Sequence, residues 1–335
     1  MKIFLCLFLF LTGSLLAAQT TDSSRAQYEV KVSKILMGTV VETTARYPDI
    51  TYCKEALFYA YREMERVEDL LSYQKAESEI SRINNNAGKT PQPVSAETFA
   101  ILQRAVSYAR KLNGLFDVTI GPVTSLWGFS DPEGGRLPAK ADITRQLKDV
   151  NYRDLVLNTR DTTAFLKNQG MMLDLGGIAK GYAIDRGSAK LKEYGVSNFI
   201  LNAGGDMYVS GQKEGNTPLT VGVKDPRKGQ ELIARFELKD EAVATSGDYE
   251  RFIIVDGKRY HHIIDPRTGY PGTLSESATT FAATAEEADV LATYLFIIGA
   301  RQALNNNFSK PFLIVDITGR QTSNEAFRKL PGLQF

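Results

Sequence analysis

The hydrophobic residues of this chain follow two different periods. A strand-like pattern occurs in residues 28–46, interrupted at Met37-Gly38-Thr39, and in residues 161–175, 199–210, 220–223, 232–238, 252–255 and 312–317. Helical spacing occurs in residues 50–71, 95–112, 178–194 and 285–298, with Ser95 as the predicted N-cap of the second helix and glycines ending the last three helices at positions 114, 195 and 299. Helices and strands do not alternate strictly, which predicts an α+β fold rather than a doubly wound sheet.

The N-terminal segment differs in character from the rest of the chain. Lys2 is followed by an uncharged run over residues 3–18 that ends in small residues. These features are typical of a secretory signal peptide, and the run is shorter than the roughly 20 residues that the alternative, a membrane anchor, needs. Gln19 stands where a lipoprotein would carry cysteine. We therefore expect a signal peptide over residues 1–18, one elaborate domain over 19–335, and no stable membrane span.

Cysteine usage and charge indicate the compartment of the protein and the kind of partner it binds. Loss of the signal peptide would remove Cys6 and leave Cys53 without a partner for an internal disulfide. The whole chain has 40 basic and 39 acidic residues, and removal of Lys2 would make these numbers equal. No long basic run occurs, which argues against nucleic acid as a partner. The sequence predicts an exported, periplasmic bacterial protein.

Two strand ends carry paired glycines. In the first, Gly176 and Gly177 stand between a strand end and a helix whose first turn contains Lys180. Such a junction directs backbone N–H groups and positive charge at an anion, although its spacing is not that of a Walker P-loop. The second, Asn202-Ala-Gly-Gly-Asp206, adds a carboxylate. An ordinary tight turn and a hairpin or bulge are the alternatives, and the two sites together favour a shared diphosphate cradle.

Asp289 and Thr293 lie four residues apart in the last predicted helix and so share one face. Most of their neighbours from Val290 to Ile298 are apolar, so both polar groups need partners if this helix is buried. One carboxylate and one neutral oxygen suit Mg²⁺ when phosphates supply other ligands. The alternative is an Asp that faces solvent and a Thr bonded to a backbone carbonyl.

The 2 histidines of the chain, His261 and His262, are adjacent at the end of a predicted strand. Neighbouring strand residues point to opposite faces, so only one ring should face a site, and a metal held by both is disfavoured. Imidazole is suited to proton transfer near neutral pH. A pair of surface histidines is the alternative.

The order of these motifs resembles that of the ApbE family, the FAD:protein FMN transferases. The resemblance extends over residues 34–299 and rests on the motifs MGT (37–39), LSY (71–73) with SEIS (78–81), GLFDVT (114–119), DLGGIAKGY (174–182), NAGGD (202–206), ATSGDY (244–249), HIIDPRTG (262–269) and ADVLAT (288–293). Many family members carry a lipobox cysteine, which this chain lacks.

The resemblance implies an α+β fold related to the T-fold, with mixed and antiparallel sheets, packed helices and a cleft for FAD. It implies Mg²⁺-dependent transfer of FMN from FAD to a Thr or Ser hydroxyl of an exported acceptor protein, with release of AMP. The acceptor is expected to carry a motif like Asp-x-x-(Ser/Thr)-Gly-Ala-(Thr/Ser), in a respiratory or redox subunit at the inner membrane.

The family pattern also implies a role for each matching residue. His262 is the implied catalytic base. The implied Mg²⁺ ligands are the carbonyl of Gly177 and the side chains of Asp289 and Thr293. The implied FAD contacts are Met37, Tyr73, Phe116, Asp117, Asp174, Lys180, Ser246, Gly247 and Ile264.

Two other functions stay open at this point. A Mg²⁺-dependent FAD pyrophosphatase, giving FMN and AMP, would use water in place of the protein hydroxyl. Tyr73 argues against it, because some relatives that hydrolyse FAD lack an aromatic residue there. A non-catalytic periplasmic flavin-binding protein would need neither His262 as a base nor Asp289 as a metal ligand.

Overall fold

The computed structural model describes residues 27–131, 133–212, 217–229 and 231–335. The predicted signal peptide lies outside these residues. Within them, no helix combines the length and the apolar character that a bilayer crossing requires.

The helices are α1 (Ile50–Leu71), α2 (Glu79–Asn85), α3 (Ala96–Lys111), α4 (Gly121–Trp127), α5 (Lys140–Gln146), α6 (Ala179–Glu193), α7 (Ala285–Asn305) and α8 (Glu325–Arg328). The strands are β1 (Tyr28–Leu36), β2 (Thr39–Tyr47), β3 (Gln92–Pro93), β4 (Leu155–Asn158), β5 (Thr163–Leu166), β6 (Asn198–Ala203), β7 (Asp206–Ser210), β8 (Leu219–Lys224), β9 (Leu232–Leu238), β10 (Glu241–Gly247), β11 (Phe252–Val255), β12 (Lys258–His261), β13 (Ser275–Ala282), β14 (Phe312–Asp316) and β15 (Gln321–Ser323).

An 8-stranded sheet, in the order β1-β2-β6-β7-β10-β13-β14-β15, forms the centre of the fold. Its strand pairs are antiparallel throughout. β1 and β2 are joined at Met37 and Gly38, which have φ of 52° and 68°. This left-handed conformation is costly for Met37, and its N–H is held by a 3.0 Å hydrogen bond to Glu68 Oε1 of α1. The hairpin tip is thereby fixed against the end of α1.

Helices cover one face of the sheet. Alternate residues of β2 and β6, such as Val41, Ala45 and Leu201, point into a core shared with α1 and α6. α7 packs beside α6 and lies over β10 and β13. This arrangement brings the first turn of α6 against the first turns of α7, where the site is found.

The opposite face is covered by the β8–β9 hairpin and α8. Phe236, Phe281 and Phe327 meet there in edge-to-face contacts, with ring centroids 5.0 to 6.0 Å apart. β13 is therefore covered on both faces, and all its residues are buried although several are Ser or Thr. Two of these hydroxyls have partners, since Thr279 lies 2.8 Å from the Thr245 hydroxyl and Thr280 donates to the Pro311 carbonyl at 2.8 Å, whereas the buried Ser275 hydroxyl has none among the described residues.

Most of the predicted elements are confirmed, and the predicted α+β class is the observed one. The helix predicted over residues 50–71 is α1, and the Ser95 side chain caps α3 by accepting from the N–H of Thr98. One prediction was wrong. Residues 161–175 contain one strand, β5, followed by a loop with a single parallel bridge between Ile120 and Met172. The helix predicted over residues 285–298 does end at Gly299, where φ is 70° and ψ is 170°, and a second helical segment of α7 follows this kink to Asn305.

The close approach of α6 to α7 generates a prediction about Gly181. A Cβ at this position would lie 2.3 Å from the carbonyl oxygen of Ala285, which is backbone and cannot turn aside. Gly181→Ala should therefore lower the free energy of unfolding by roughly 2 kcal/mol. Urea unfolding followed by circular dichroism measures this loss.

Gly187→Ala on the same helix is the matched control. Its Cβ would meet only side-chain atoms of Leu201 and Met64, at 3.0 Å. Because Ala is the better helix former by about 1 kcal/mol, we expect this variant to lose little or no stability. Equal losses in the two variants would contradict the importance of the backbone contact.

Candidate functional site

The chain that leads into α6 is held in place by side chains from two other helices. The N–H and C=O of Leu173 both bond to the Asn84 amide, at 2.7 and 3.0 Å. Asp174 accepts from the N–H of Gly176 and from the hydroxyl of Thr124, each at 2.8 Å. These bonds give the paired glycines a defined backbone conformation, as an anion cradle requires.

α7 presents Asp289 and Thr293 to this junction. Asp289 is 5% exposed and its Oδ2 accepts from the N–H of Gly181 at 3.1 Å. The Thr293 hydroxyl lies 3.3 Å from that of Ser246 on β10, and a Cβ placed on Gly177 would lie 3.9 Å from Thr293 Oγ1. The structure thus brings together the three residues predicted as metal ligands, with Ser246 beside them.

Lys180 lies between two buried carboxylates. Its Nζ is 2.6 Å from Asp206 Oδ2, and Asp206 is 1% exposed, with Oδ1 accepting from the N–H of Thr245 at 3.1 Å. Burial alone would lower the pKa of Lys180, but Asp206 and Asp289 raise it above its ordinary value. Burial, and then the charge of Asp206, raise the pKa of Asp289 well above its usual range. Two carboxylates and one lysine leave an excess of negative charge, which one further cation would compensate.

Phe116 and Asp117 lie beside the same junction but differ in their contacts. A Cβ on Gly177 would be 3.2 Å from Phe116 Cε2, so this ring borders the cradle. The Asp117 carboxylate accepts from the N–H and hydroxyl of Thr119, at 2.8 and 2.7 Å, and from the N–H of Tyr152 at 2.9 Å. With both oxygens engaged within the loop, Asp117 shapes the loop, and its contact with FAD stays a prediction.

Arg251 contacts residues along one edge of the site. This edge, called the rim, contains the β1–β2 turn with Met37, together with Ser130 and Tyr73. Its guanidinium donates to the Ser130 hydroxyl at 3.0 Å and would lie 3.4 Å from a Cβ on Gly38, at the β1–β2 turn that contains Met37. Ser130 also lies close enough to Tyr73 to lower the pKa of its phenol. Burial and a neighbouring carboxylate raise the pKa of Tyr73 to about 12, which keeps its phenol neutral. The predicted contacts Met37 and Tyr73 therefore border one rim.

A polar cavity of about 560 Å³ opens beside Tyr73. Gln74, Asn84 and Gln169 contribute to its wall. This volume lies within the range of small-molecule sites, but the lining includes Tyr73 and none of Gly177, Lys180, Asp289 and His262.

His262 follows β12 and is half-buried. Its backbone N–H donates to the carbonyl oxygen of Arg251 at 3.1 Å, and its ring Nδ1 lies 3.3 Å from the same oxygen. A carbonyl only accepts, so Nδ1 carries the proton in this contact and Nε2 is the basic nitrogen. Burial, and then the charge of Arg251, lower the pKa of His262 to about 3. The ring is therefore neutral near pH 7 and Nε2 can accept a proton, but a pKa this far below 7 makes it a weak base in the substrate-free protein.

Gly247 and Ile264 are the remaining predicted FAD contacts. Gly247 ends β10, and a Cβ there would lie 2.4 Å from the Tyr249 ring. Ile264 is 6% exposed, packs in a cluster with Trp127 and pairs with Pro271 through a backbone bridge. Because its side chain belongs to the core, a contact from Ile264 to FAD would have to use its backbone.

Comparison with known families decides where the chain belongs. The model of the ApbE family matches residues 37–309. The chain belongs to the ApbE family.

Two relatives illustrate the match in sequence. A Klebsiella pneumoniae (strain 342) protein named FAD:protein FMN transferase is 36% identical over 246 residues, covering 72% of this chain and 75% of the relative. A Haemophilus influenzae protein of the same name is 32% identical over 341 residues, covering 96% and 97% of the two chains.

Solved ApbE structures share the fold. The crystal structure of the ApbE protein from Thermotoga maritima has a TM-score of 0.85 at 33% identity, covering 90% of this chain and 99% of that one. The flavin transferase ApbE from Vibrio cholerae has a TM-score of 0.78 at 26% identity, covering 91% and 100%.

The sequence motifs give no contact for the carboxylate of Asp206 and do not include Arg251, although both lie in this ApbE cleft. Asp206 stands in the NAGGD motif, which is the signal that could have pointed to it. Its partner Lys180 is distant in sequence and meets it only through the fold. Arg251 gave no signal, because its partner Ser130 is separated from it by 121 positions.

Proposed function

We propose that this chain is an FAD:protein FMN transferase that uses Mg²⁺, attaches FMN to a Ser or Thr hydroxyl of an acceptor protein and releases AMP. The names of the relatives support the reaction class. In this chain the proposal is carried by His262, whose Nδ1 faces the Arg251 carbonyl oxygen at 3.3 Å, so that Nε2 is the nitrogen that can accept a proton. The positive charges of Arg251 and Lys180 lie close enough to this ring to lower its pKa. A flavin carrier would need no such base.

His262 would act on the acceptor hydroxyl. Its Nε2 takes the hydroxyl proton while the oxygen forms a bond to the FMN-side phosphorus of FAD. The bond from that phosphorus to the bridging oxygen breaks, and AMP leaves with the electron pair. Lys180 and the backbone N–H groups at the start of α6 hold the diphosphate, and such positioning accounts for most of catalysis in phosphoryl transfer.

The donor set fits a hard divalent cation. Among the described residues no group of three or more His, Cys, Asp or Glu side chains is placed to hold a metal. The proposed set is of another kind, with one carboxylate from Asp289, the Thr293 hydroxyl and the Gly177 carbonyl, and substrate phosphates complete such sites. The unbalanced negative charge around Asp289 supports this fit. Mg²⁺ would neutralise the charge that develops on the diphosphate.

The acceptor is proposed to be an exported respiratory or redox subunit that carries an Asp-x-x-(Ser/Thr)-Gly-Ala-(Thr/Ser)-like motif. Among the described residues, the group proposed as the base would accept a proton from water as well as from a protein hydroxyl, so the pyrophosphatase is the second candidate. Tyr73, on the rim beside Ser130 and Arg251, favours the transferase, because it would help to enclose the flavin.

The decisive experiment incubates the protein with FAD and Mg²⁺, with and without an acceptor that carries the motif. Flavin fluorescence that stays with the denatured acceptor supports transfer. FMN and AMP formed without labelling of the acceptor would establish a hydrolase, and unchanged FAD would establish a binding protein.

Asp289→Ala should impair metal use. Loss of the only carboxylate of the set should raise the Mg²⁺ concentration for half-maximal transfer by about 10-fold or more, by analogy with other metal-site substitutions. Titration calorimetry with Mg²⁺ gives a readout independent of turnover. Glu287→Ala is the matched control, since Glu287 lies on the same helix and pairs with Lys310 at 3.2 Å. Near-normal transfer by Asp289→Ala in limiting Mg²⁺ would show that the metal is held elsewhere.

His262→Ala should lower the rate of transfer by about 10²–10⁴-fold, the usual contribution of a general base. FAD affinity should survive, because Lys180 and the backbone at α6 hold the diphosphate. His261→Ala should lower the rate by much less. The rates are measured with saturating FAD and acceptor. A larger loss at His261 would move the role of base to that residue.

We also propose, on sequence grounds, that residues 1–18 are removed on export and that residues 19–335 act as one domain in the periplasm. The processed protein should appear in the soluble periplasmic fraction, associated with the inner membrane only through its acceptor. Recovery of the processed protein in membranes after washing with high salt would contradict this.

A further inference from the structure

Both ring nitrogens of His261 are engaged with backbone groups. The residue is 4% exposed, its Nε2 lies 2.8 Å from the Gly272 carbonyl oxygen, and its Nδ1 lies 3.3 Å from the N of Ile263. The carbonyl can only accept and the N–H can only donate, so Nε2 is protonated and Nδ1 is not. One neutral tautomer satisfies both contacts.

The bond to Ile263 encloses His262. A side-chain acceptor at position 261 that binds the N–H at position 263 forms a turn with His262 at its centre. The same residue is held on its other side, because its N–H and Nδ1 both contact the Arg251 carbonyl. The backbone of His262 is therefore restrained from two directions.

The bond to Gly272 closes the loop that follows His262. Gly272 N–H donates to the Ile263 carbonyl at 2.9 Å, and the N–H of Asp265 donates to the Tyr270 carbonyl at 2.8 Å, so residues 263–272 form a small hairpin. The His261 ring lies across its base, with its centroid 5.0 Å from that of Phe296 at an angle of 78°. Phe296 belongs to α7, the helix that carries Asp289 and Thr293.

We propose that His261 is a positioning residue for the transfer reaction. Its two hydrogen bonds and its contact with Phe296 fix the His262 ring relative to the α7 face. This inference rests on the proposed function. It gives His261 a role that Asn and Gln can supply only in part, because each of these shorter or differently spaced amides reaches one of the two ring-nitrogen positions and not both.

Three substitutions separate the two hydrogen bonds. His261→Asn keeps an acceptor at the position of Nδ1 for the Ile263 N–H and cannot reach Gly272. His261→Gln keeps a donor at the distance of Nε2 for the Gly272 carbonyl, and His261→Ala keeps neither. Asn324→Ala is the control for a general loss of stability, since the Asn324 amide donates to the carbonyls of Phe308 and Lys310, at 3.0 and 2.8 Å, near the C-terminus.

Transfer to the acceptor is measured at saturating FAD, together with FAD affinity, thermal stability and hydrogen exchange of the Ile263 and Gly272 amides. His261→Ala should lower the transfer rate by about 10-fold, because sub-ångström misplacement of a base is costly, while FAD affinity stays within about 2-fold. Exchange at both amides should accelerate. His261→Asn should recover part of the rate and the protection of Ile263.

Three results would overturn the inference. The first is a His261→Ala rate no lower than that of Asn324→Ala at comparable loss of stability. The second is His261→Asn transferring no faster than His261→Ala, and the third is a loss of rate matched by a loss of FAD affinity. Absence of transfer by the unsubstituted protein would contradict the proposed function itself and is thereby distinguishable from these.

Discussion

The cleft depends on the backbone contact between α6 and α7. Gly181 lets the two helices approach until its N–H reaches the Asp289 carboxylate, and no side chain fits between them. Asp185, one turn further along α6, accepts from the N–H groups of Ala285 and Glu286 at 2.7 and 2.9 Å and so caps α7. The residues next to Gly181 in sequence, such as Lys180, thereby lie beside the face of α7 that contains Asp289 and Thr293.

This contact concentrates charge beside buried carboxylates, with Lys180 still partly exposed. Asp206 and Asp289 are both buried, and Lys180 supplies one positive charge for two carboxylates. Burial raises the pKa of Asp289 most, and the charge of Asp206 raises it further. A divalent cation together with an anionic diphosphate would restore balance, with the cation beside Asp289 and the phosphates beside Lys180 and the α6 N–H groups. The protein alone therefore forms only part of an electrostatically complete centre.

Local patterns were sufficient to predict much of this fold. α1 has a clear helical period and a capping residue, and the β1–β2 turn has its Gly38, so neither needs distant contacts to be recognised. β13 could not be predicted in this way, since its Ser and Thr residues are buried only because layers cover both faces. The residues of the site divide in the same way, into those that local motifs reveal and those that only the tertiary structure reveals. Gly177, Asp289 and Thr293 belong to recognisable motifs, whereas Arg251 reaches the rim only through tertiary structure.

The adjacent histidines show how identical side chains acquire different chemistry from their hydrogen bonds. His261 uses both ring nitrogens to hold backbone and so has none left for proton transfer. His262 uses Nδ1 against the Arg251 carbonyl, which leaves Nε2 as the ring nitrogen that can accept a proton. A catalytic base needs a fixed orientation as well as a suitable pKa. A loop that followed the strand without such hydrogen bonds would not fix the orientation of its side chains. Adjacency is then an advantage, because the His261 ring can form a turn around His262 that a residue elsewhere in the sequence could not form.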